Sequence, residues 1–344
     1  MRYPKFLKDG GRIGFIAPSF GCTIEPYASC FNEALRRLQQ RGYKTVEGPN
    51  CRKDDGAGKS TDPKSCAAEI NEFFEKPYSD VLISCGGGET MCEDLSYVDF
   101  AGIAEAAPKW FMGYSDNTNL TFTLPTICDT AAIYGPCAAT FGQRPWHPAV
   151  EDALAAIRGE KLTLSNYDKW EKDQLKADDN PFVPYNVTEP FDMKIEGSAK
   201  GQNKAEFSGR LIGGCLDVLT CLCGTRFDHV KEFVVRYAGD GIVWFLESCE
   251  LRPAGIRRAL WQLENAGWFE NVKGFLIGRP YCGPCDDFGL TEITAVTGIL
   301  EKYDVPILMN LDIGHLPPMM PIISGSFGEI RAEGNKLTID QKLI

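Results

Sequence analysis

Histidine is scarce in this chain of 344 residues, with only His147, His229 and His315, so a reaction that needs an imidazole base must use one of these. His147 stands in Pro145-Trp146-His147-Pro148, a helix-start position, and His229 in Phe227-Asp228-His229-Val230, at a turn into a charged segment; both read as structural or solvated. His315 lies in Asp312-Ile313-Gly314-His315-Leu316-Pro317-Pro318, directly after an apolar run, where a loop presents a side chain with little freedom. A carboxylate occupies a comparable place. The run Gly241 to Leu246 carries no charge and ends on Glu247, so the acid can be desolvated and aimed. It could hold an imidazole in one tautomer, or it could pair with Arg252 or Arg257.

A hydroxyl nucleophile has a candidate in Ser115, which follows Trp110-Phe111-Met112-Gly113 and precedes a segment able to open a helix. A serine in a tight strand-to-helix turn exposes its hydroxyl beside backbone amides. The usual pattern is Gly-x-Ser-x-Gly, and Asn117 takes the last position here, so by pattern alone a helix-capping turn is an equal rival. The turn Ser84-Cys85-Gly86-Gly87-Gly88-Glu89-Thr90 follows another apolar run, and its glycines let amides approach a ligand unobstructed. It has neither the Lys-Ser/Thr of a P-loop nor Gly-x-Gly-x-x-Gly, so donors to an oxyanion suit it better than a nucleotide phosphate site, provided Ser115 is a nucleophile. Cys282-Gly283-Pro284-Cys285 has the sequence of a thioredoxin dithiol, but Asp286 and Asp287 oppose a thiolate, and a redox role is disfavoured. Asn186-Val187-Thr188 matches a glycosylation sequon that a cytoplasmic chain would not present to the enzyme.

The elements that must position these residues alternate. Arg12 to Ile16 reads as a strand, and Phe31, Ala34, Leu35 and Leu38 recur at helical spacing before Gly42. Val81 to Cys85, Trp110 to Met112 and Ala132 to Tyr134 continue the rhythm, and a helix with Val150, Leu154 and Ile157 on one face closes it near Gly159. Strands alternating with helices predict a mainly parallel sheet with ligands at the carboxyl ends of its strands. From Ser165 to Lys204 the chain is polar and aromatic without a period, which suits an interdomain connection that also covers a site. Strand and helix patterns resume with Ile242 to Leu246, then Ile256, Leu260 and Leu263, Phe275 to Ile277, and Ile293 to Tyr303. The expected fold class is α/β. Its parts are an N-terminal mainly parallel α/β sandwich domain over 1–164, a linker over 165–206 and a smaller C-terminal α/β domain over 207–344.

Composition excludes several classes of function. The net charge is −11, which repels a phosphate backbone or an anionic membrane, so neither nucleic acid nor membrane is an expected partner. No charged-then-apolar leader and no long uncharged apolar stretch stands in the sequence, and the expectation is a soluble cytoplasmic protein. The 14 cysteines are scattered inside apolar segments such as Leu219-Thr220-Cys221-Leu222-Cys223, the pattern of reduced, buried thiols rather than a disulfide framework.

Taken in order, these segments resemble the LD-carboxypeptidase family of serine peptidases, which includes the microcin C immunity peptidases. The likeness covers nearly the whole chain. It runs from Gly11-Arg12-Ile13-Gly14 and Ala17-Pro18-Ser19 through Gly86-Gly87 and Gly113-Tyr114-Ser115-Asp116 to Gly209-Arg210-Leu211-Ile212-Gly213-Gly214, Leu246-Glu247 and Gly314-His315. The resemblance implies a Ser-Glu-His triad of Ser115, Glu247 and His315, with an oxyanion hole from amides of Gly86, Gly87 and Asp116. It implies no metal or other cofactor, a small peptide-like substrate, and a homodimer. The substrate would be a peptide-nucleotide or aminoacyl-sulfamoyl adenylate, or else a murein tetrapeptide that loses its D-alanine. Trp170 and Tyr185, in the long connection, are candidate aromatic contacts for a nucleobase; in the plainer reading they anchor the linker. A protein of this fold that only binds a small ligand is the alternative of another class.

Overall fold

The computed structural model describes residues 1–282, 285 and 287–344. Its first sheet has six strands in the order Ile322–Ser324, Ala132–Tyr134, Phe111–Gly113, Val81–Ser84, Arg12–Ile16, Lys44–Glu47, parallel except for the first. The second has eight, in the order Thr163–Ser165, Lys336–Lys342, Phe327–Glu333, Lys204–Cys215, Ile242–Glu247, Val272–Gly278, Pro306–Leu311, Lys194–Gly197, with the four from Lys204–Cys215 to Pro306–Leu311 parallel. The protein is therefore a two-domain α/β fold, as the alternation of patterns predicts.

Local chemistry sets the helices that flank these sheets. Asp62 accepts the Lys64 and Ser65 amides at the start of Pro63–Glu75, with proline at the first helical position, where its missing N–H costs nothing. Thr291 and Thr294 form a reciprocal capping box for Glu292–Leu300. Tyr27–Gln40 buries Phe31, Ala34, Leu35 and Leu38 against the first sheet, the face that their spacing predicts.

One helix decides how the halves meet. Thr118–Cys128, which leads away from Ser115, is buried along nearly its whole length. Leu120 and Leu124 pack with the first-sheet residues Ile16, Leu82 and Phe111. Phe122 faces the other way and lies against Trp268 and Trp244, with ring centroids 5.1 and 6.2 Å apart. At its start Thr118 Oγ1 accepts the Cys215 amide at 3.1 Å, so the end of a second-sheet strand is tied to the turn that carries Ser115.

The sequence pattern does not foresee two pairings. Ile322–Ser324 joins the edge of the first sheet beside Ala132–Tyr134, while Thr163–Ser165 joins the edge of the second beside Lys336–Lys342. The aperiodic stretch contains a small sheet of Lys169–Glu171 with Val187–Pro190, and the edge strand Lys194–Gly197. These strands are three or four residues long and bury little, too short for their period to stand out in the sequence. Among the described residues no disulfide is formed, and most of the cysteines are buried. In the Cys-Gly-Pro-Cys segment Gly283 and Pro284 lie outside the described residues; burial, and next the Cys285 sulfur, push the Cys282 thiol up to about 11, against a reactive thiolate.

Candidate active site

Ser115 begins a 3-10 turn that runs from the strand Phe111–Gly113 into the helix Thr118–Cys128. Its φ is +63°, a left-handed conformation that a non-glycine residue holds only when its surroundings enforce it. Asn117 explains both that enforcement and the departure from the usual elbow sequence. Its Nδ2 donates to the Gly86 carbonyl at 2.8 Å and to the Tyr114 carbonyl at 3.1 Å, bracing the serine turn against the glycine turn. Gly113 supplies the room, since a Cβ there would stand 2.8 Å from the Asn117 Cβ.

The glycine turn lies against the serine. A Cβ on Gly87 would come within 3.3 Å of the Ser115 hydroxyl, and neither the Gly86 nor the Gly87 amide has a protein acceptor among the described residues. Asp116 turns its carboxylate away, accepting from Ser19 at 2.5 Å, the Met91 amide at 3.0 Å and Asn119 at 3.0 Å.

Glu247 is the last residue of Ile242–Glu247, a fully buried strand. His315 lies in the loop that follows the strand Pro306–Leu311. His315 Nδ1 lies 2.8 Å from Glu247 Oε2, and Nε2 lies 2.9 Å from Ser115 Oγ. This contact requires Gly314, because a Cβ there would meet Glu247 Oε2 at 2.5 Å. Of the two arginines that could have claimed the acid, Arg257 donates to the Thr294 carbonyl instead. Burial works against an imidazolium at His315, but the Glu247 carboxylate and a hydrogen bond with Cys249 outweigh it and raise the histidine well above its ordinary value. His147 accepts the Ala149 amide at a helix start, and burial lowers its pKa.

Tyr134 completes the arrangement and was not singled out from the sequence, where Ala132-Ile133-Tyr134 reads only as an apolar strand. Its hydroxyl donates to Glu247 Oε1 at 2.5 Å and accepts the Ser115 amide at 3.4 Å. Tyr134→Phe should slow fluorophosphonate modification of Ser115 by about tenfold or more, since a hydrogen bond to a charged group is worth roughly 1.5–3 kcal/mol. An unchanged rate would remove Tyr134 from the arrangement.

Two cavities flank the serine. One of about 430 Å³ is lined by Ser115, Glu89, Asp116, Asn119, Asp217 and Glu250 among others. The other, of about 360 Å³, is lined by His315, Gly86 and Gly87, the aromatic residues Tyr27, Tyr114, Tyr185 and Tyr281, and the lysines Lys172 and Lys176. Tyr185 is thus on a cavity wall, whereas Trp170 lines neither cavity; its ring lies 5.2 Å from the Arg279 guanidinium, which is ion-paired with Asp312. Among the described residues the set able to hold a metal ion is Cys215, Glu247 and His315, whose ligand atoms lie within 4.8 Å of one another. Burial raises the Cys215 thiol, and Glu247 and His315 are bonded to each other, so this set is poorly prepared for a metal.

A serine in a left-handed strand-to-helix turn, a histidine within reach of it and a buried carboxylate behind that histidine have the relative placement that a Ser-His-acid triad needs. The chain belongs to the LD-carboxypeptidase family: the N-terminal domain of that family matches residues 13–135 and its C-terminal domain residues 208–330. The Escherichia coli microcin C7 self-immunity protein MccF is 25% identical over 98% of this chain and 95% of its own length. A probable murein peptide carboxypeptidase of Bacillus subtilis is 26% identical over 94% of this chain and 89% of its own. A solved structure of MccF in complex with glutamyl sulfamoyl guanosine superposes with a TM-score of 0.81, at 23% identity, over 99% of this chain and 98% of that one. Among the described residues no helix is long and apolar enough to cross a membrane.

Proposed function

We propose that this protein is a serine carboxypeptidase that hydrolyses a terminal amide bond through an acyl-enzyme, with Ser115 as nucleophile, His315 as base and Glu247 orienting the base. The observation that carries this reading is the single histidine placed between serine and acid at 2.9 and 2.8 Å. His315 takes the Ser115 proton as Oγ attacks the carbonyl carbon, and returns it to the leaving nitrogen as the amide bond breaks. Water, activated by the same imidazole, then releases the acid. The amides of Gly86, Gly87 and Asp116 receive the oxyanion, an assignment favoured by the unoccupied glycine amides beside the hydroxyl. The unit 1–164 carries the nucleophile and 207–344 the acid and base; the enzyme works in the cytoplasm, as a homodimer and without a cofactor.

For the substrate we favour a peptide-nucleotide or aminoacyl-sulfamoyl adenylate, as in the MccF branch. The cavity on the histidine side supports this, because its tyrosines offer faces to a base and Lys172 and Lys176 offer charge to a phosphate or sulfamate. A murein tetrapeptide losing D-alanine is the second reading, favoured by the similarity to the Bacillus subtilis protein over most of both chains. Assaying both substrates side by side, for free amino acid and for D-alanine, separates the two.

A fluorophosphonate should modify Ser115, with a rate that depends on pH. Only neutral imidazole can take the serine proton. Since the His315 pKa lies above its ordinary 6.5, the rate should rise with pH through a midpoint above 6.5 and be lost as pH falls below it. No adduct on the folded protein at any pH would leave a protein that only binds its ligand.

A further inference from the structure

The ring of His315 is held by Ser115 and Glu247, but the backbone that carries it is a loop, closed at its neck where the Met320 amide donates to the Asp312 carbonyl at 2.8 Å. Two segments distant in sequence grip that loop. On one side is Arg279, just beyond the strand Val272–Gly278 and 4% exposed. Its amide donates to the Leu311 carbonyl at 3.2 Å, Nη1 to the Asn310 carbonyl at 3.0 Å, and Nη2 to the Leu316 carbonyl at 3.4 Å and to the buried Asp312 carboxylate. One guanidinium thus ties together the end of the strand before the loop, the neck of the loop and the residue after His315.

The long connection between the domains grips the other side. The Tyr167 amide donates to the second oxygen of Asp312 at 2.8 Å, and the Glu171 amide donates to the Pro317 carbonyl at 2.7 Å. Between these two points Trp170 lays its ring over the Arg279 guanidinium, 5.2 Å from centroid to Cζ, and its Nε1 donates across the small sheet to the Pro190 carbonyl at 3.1 Å. An ion pair with Asp312 needs none of this. Contacts from one planar group to carbonyls at 310 and 316, with an aromatic face over it, fix the position of a backbone segment.

We propose that Arg279 is a positioning residue for His315, and that Trp170, by holding the guanidinium in place, makes the placement of the histidine depend on the connection between the domains. The inference rests on the reading of His315 as the base. The strand that carries Trp170 runs on into Glu171 and Lys172, which line the same cavity as His315, so one segment both walls that cavity and seats the base.

The test uses the whole protein with Arg279→Lys, Trp170→Leu and Trp170→Phe. Lysine keeps a cation beside Asp312 but lacks the planar fork that reaches Asn310 and Leu316 together. Leucine removes the aromatic face and phenylalanine restores it. Two quantities are read, the rate at which a fluorophosphonate modifies Ser115 and the ring titration of His315 by NMR, in a chain with only three histidines. Arg279→Lys should slow modification about tenfold to a hundredfold, the scale of a misplacement near 1 Å. Trp170→Leu should slow it about threefold or more, and Trp170→Phe should recover most of that loss.

In both slowed variants His315 should titrate closer to 6.5 than in the wild type. Burial opposes its imidazolium and the Glu247 carboxylate more than offsets that; a loosened loop weakens both, so the raised pKa relaxes downward. The other titratable groups around the ring, Cys249, Tyr114, Tyr281 and Glu89, are the same in every variant. Melting temperatures near that of the wild type separate misplacement from lost structure, and if Arg279→Lys folds poorly the two variants of the half-exposed Trp170 decide alone. A His315 titration unchanged in Arg279→Lys, or a leucine variant indistinguishable from the phenylalanine one, overturns the proposal. Absence of any adduct on the wild type overturns the reading of Ser115 as nucleophile, while the His315 titration still decides the placement.

Discussion

Ser115→Ala should lower kcat by a factor on the order of 10⁶, on whichever of murein tetrapeptide or aminoacyl-sulfamoyl adenosine the wild type hydrolyses faster, if the three residues act as a unit in the way subtilisin's triad does. The effect is large because Oγ, 2.9 Å from His315 Nε2, is the atom that must become bonded to the acyl carbon. The fold should survive. The left-handed turn is set by Asn117 bridging Gly86 and Tyr114, and alanine adopts that φ with about the same strain as serine. A melting temperature near that of the wild type would therefore separate lost chemistry from lost structure. Retention of even a hundredth of the wild-type turnover would exclude Ser115 as the nucleophile.

The second large effect belongs to Glu247→Gln, with a loss of about 10⁴, the size seen when the acid of a chymotrypsin-type triad becomes its amide. Gln fits the space that Gly314 and Gly278 leave around the side chain, where a Cβ at either would come within 3 Å of Glu247. The damage is electronic and tautomeric. Tyr134 O–H still finds an oxygen at Oε1, which leaves the new NH₂ facing His315 Nδ1. That nitrogen must then accept, so the proton moves to Nε2 and the imidazole can no longer take one from Ser115. Without the carboxylate the histidine pKa should also fall, because the Glu247 charge is the largest of the influences raising it. The pH–rate midpoint of the residual activity should move down accordingly. A Gln variant that keeps a tenth of the wild-type rate at an unchanged midpoint would show that Glu247 does not support the base.

Much of the arrangement was legible in local patterns. The strand before Ser115, the glycine turn after Val81–Ser84, and an acid at the end of a strand without charge are all marked by residue type along a few consecutive positions. The equal choice between an elbow and a capping turn at Ser115 was real at that level, because Asn117 in place of glycine makes sense only once its contact with Gly86 is seen. Tyr134 was invisible for a related reason. In an apolar strand a tyrosine looks like any core aromatic, and its partners Glu247 and Ser115 lie 113 and 19 positions away. For Trp170 the linear reading says only that an aromatic in a polar stretch suits a ligand surface; its ring lies against the Arg279 guanidinium, while Tyr185 lines the cavity.

The sequence by itself determined which groups were available, namely three histidines, a serine in a constrained turn, an acid ending a buried strand and an excess of negative charge. Backbone preference and hydrophobic period act over a few residues, and so these features survive in a linear reading. Tertiary structure alone decided which groups meet. His315 reaches Glu247 across 68 positions and Ser115 across 200, because the helix that follows the serine is clamped between the two sheets by Phe122 on one side and Leu120 and Leu124 on the other. The same docking gathers Glu89, Asp116, Asp217 and Glu250 from four separate segments into one acidic wall, a charge pattern that no stretch of the chain displays.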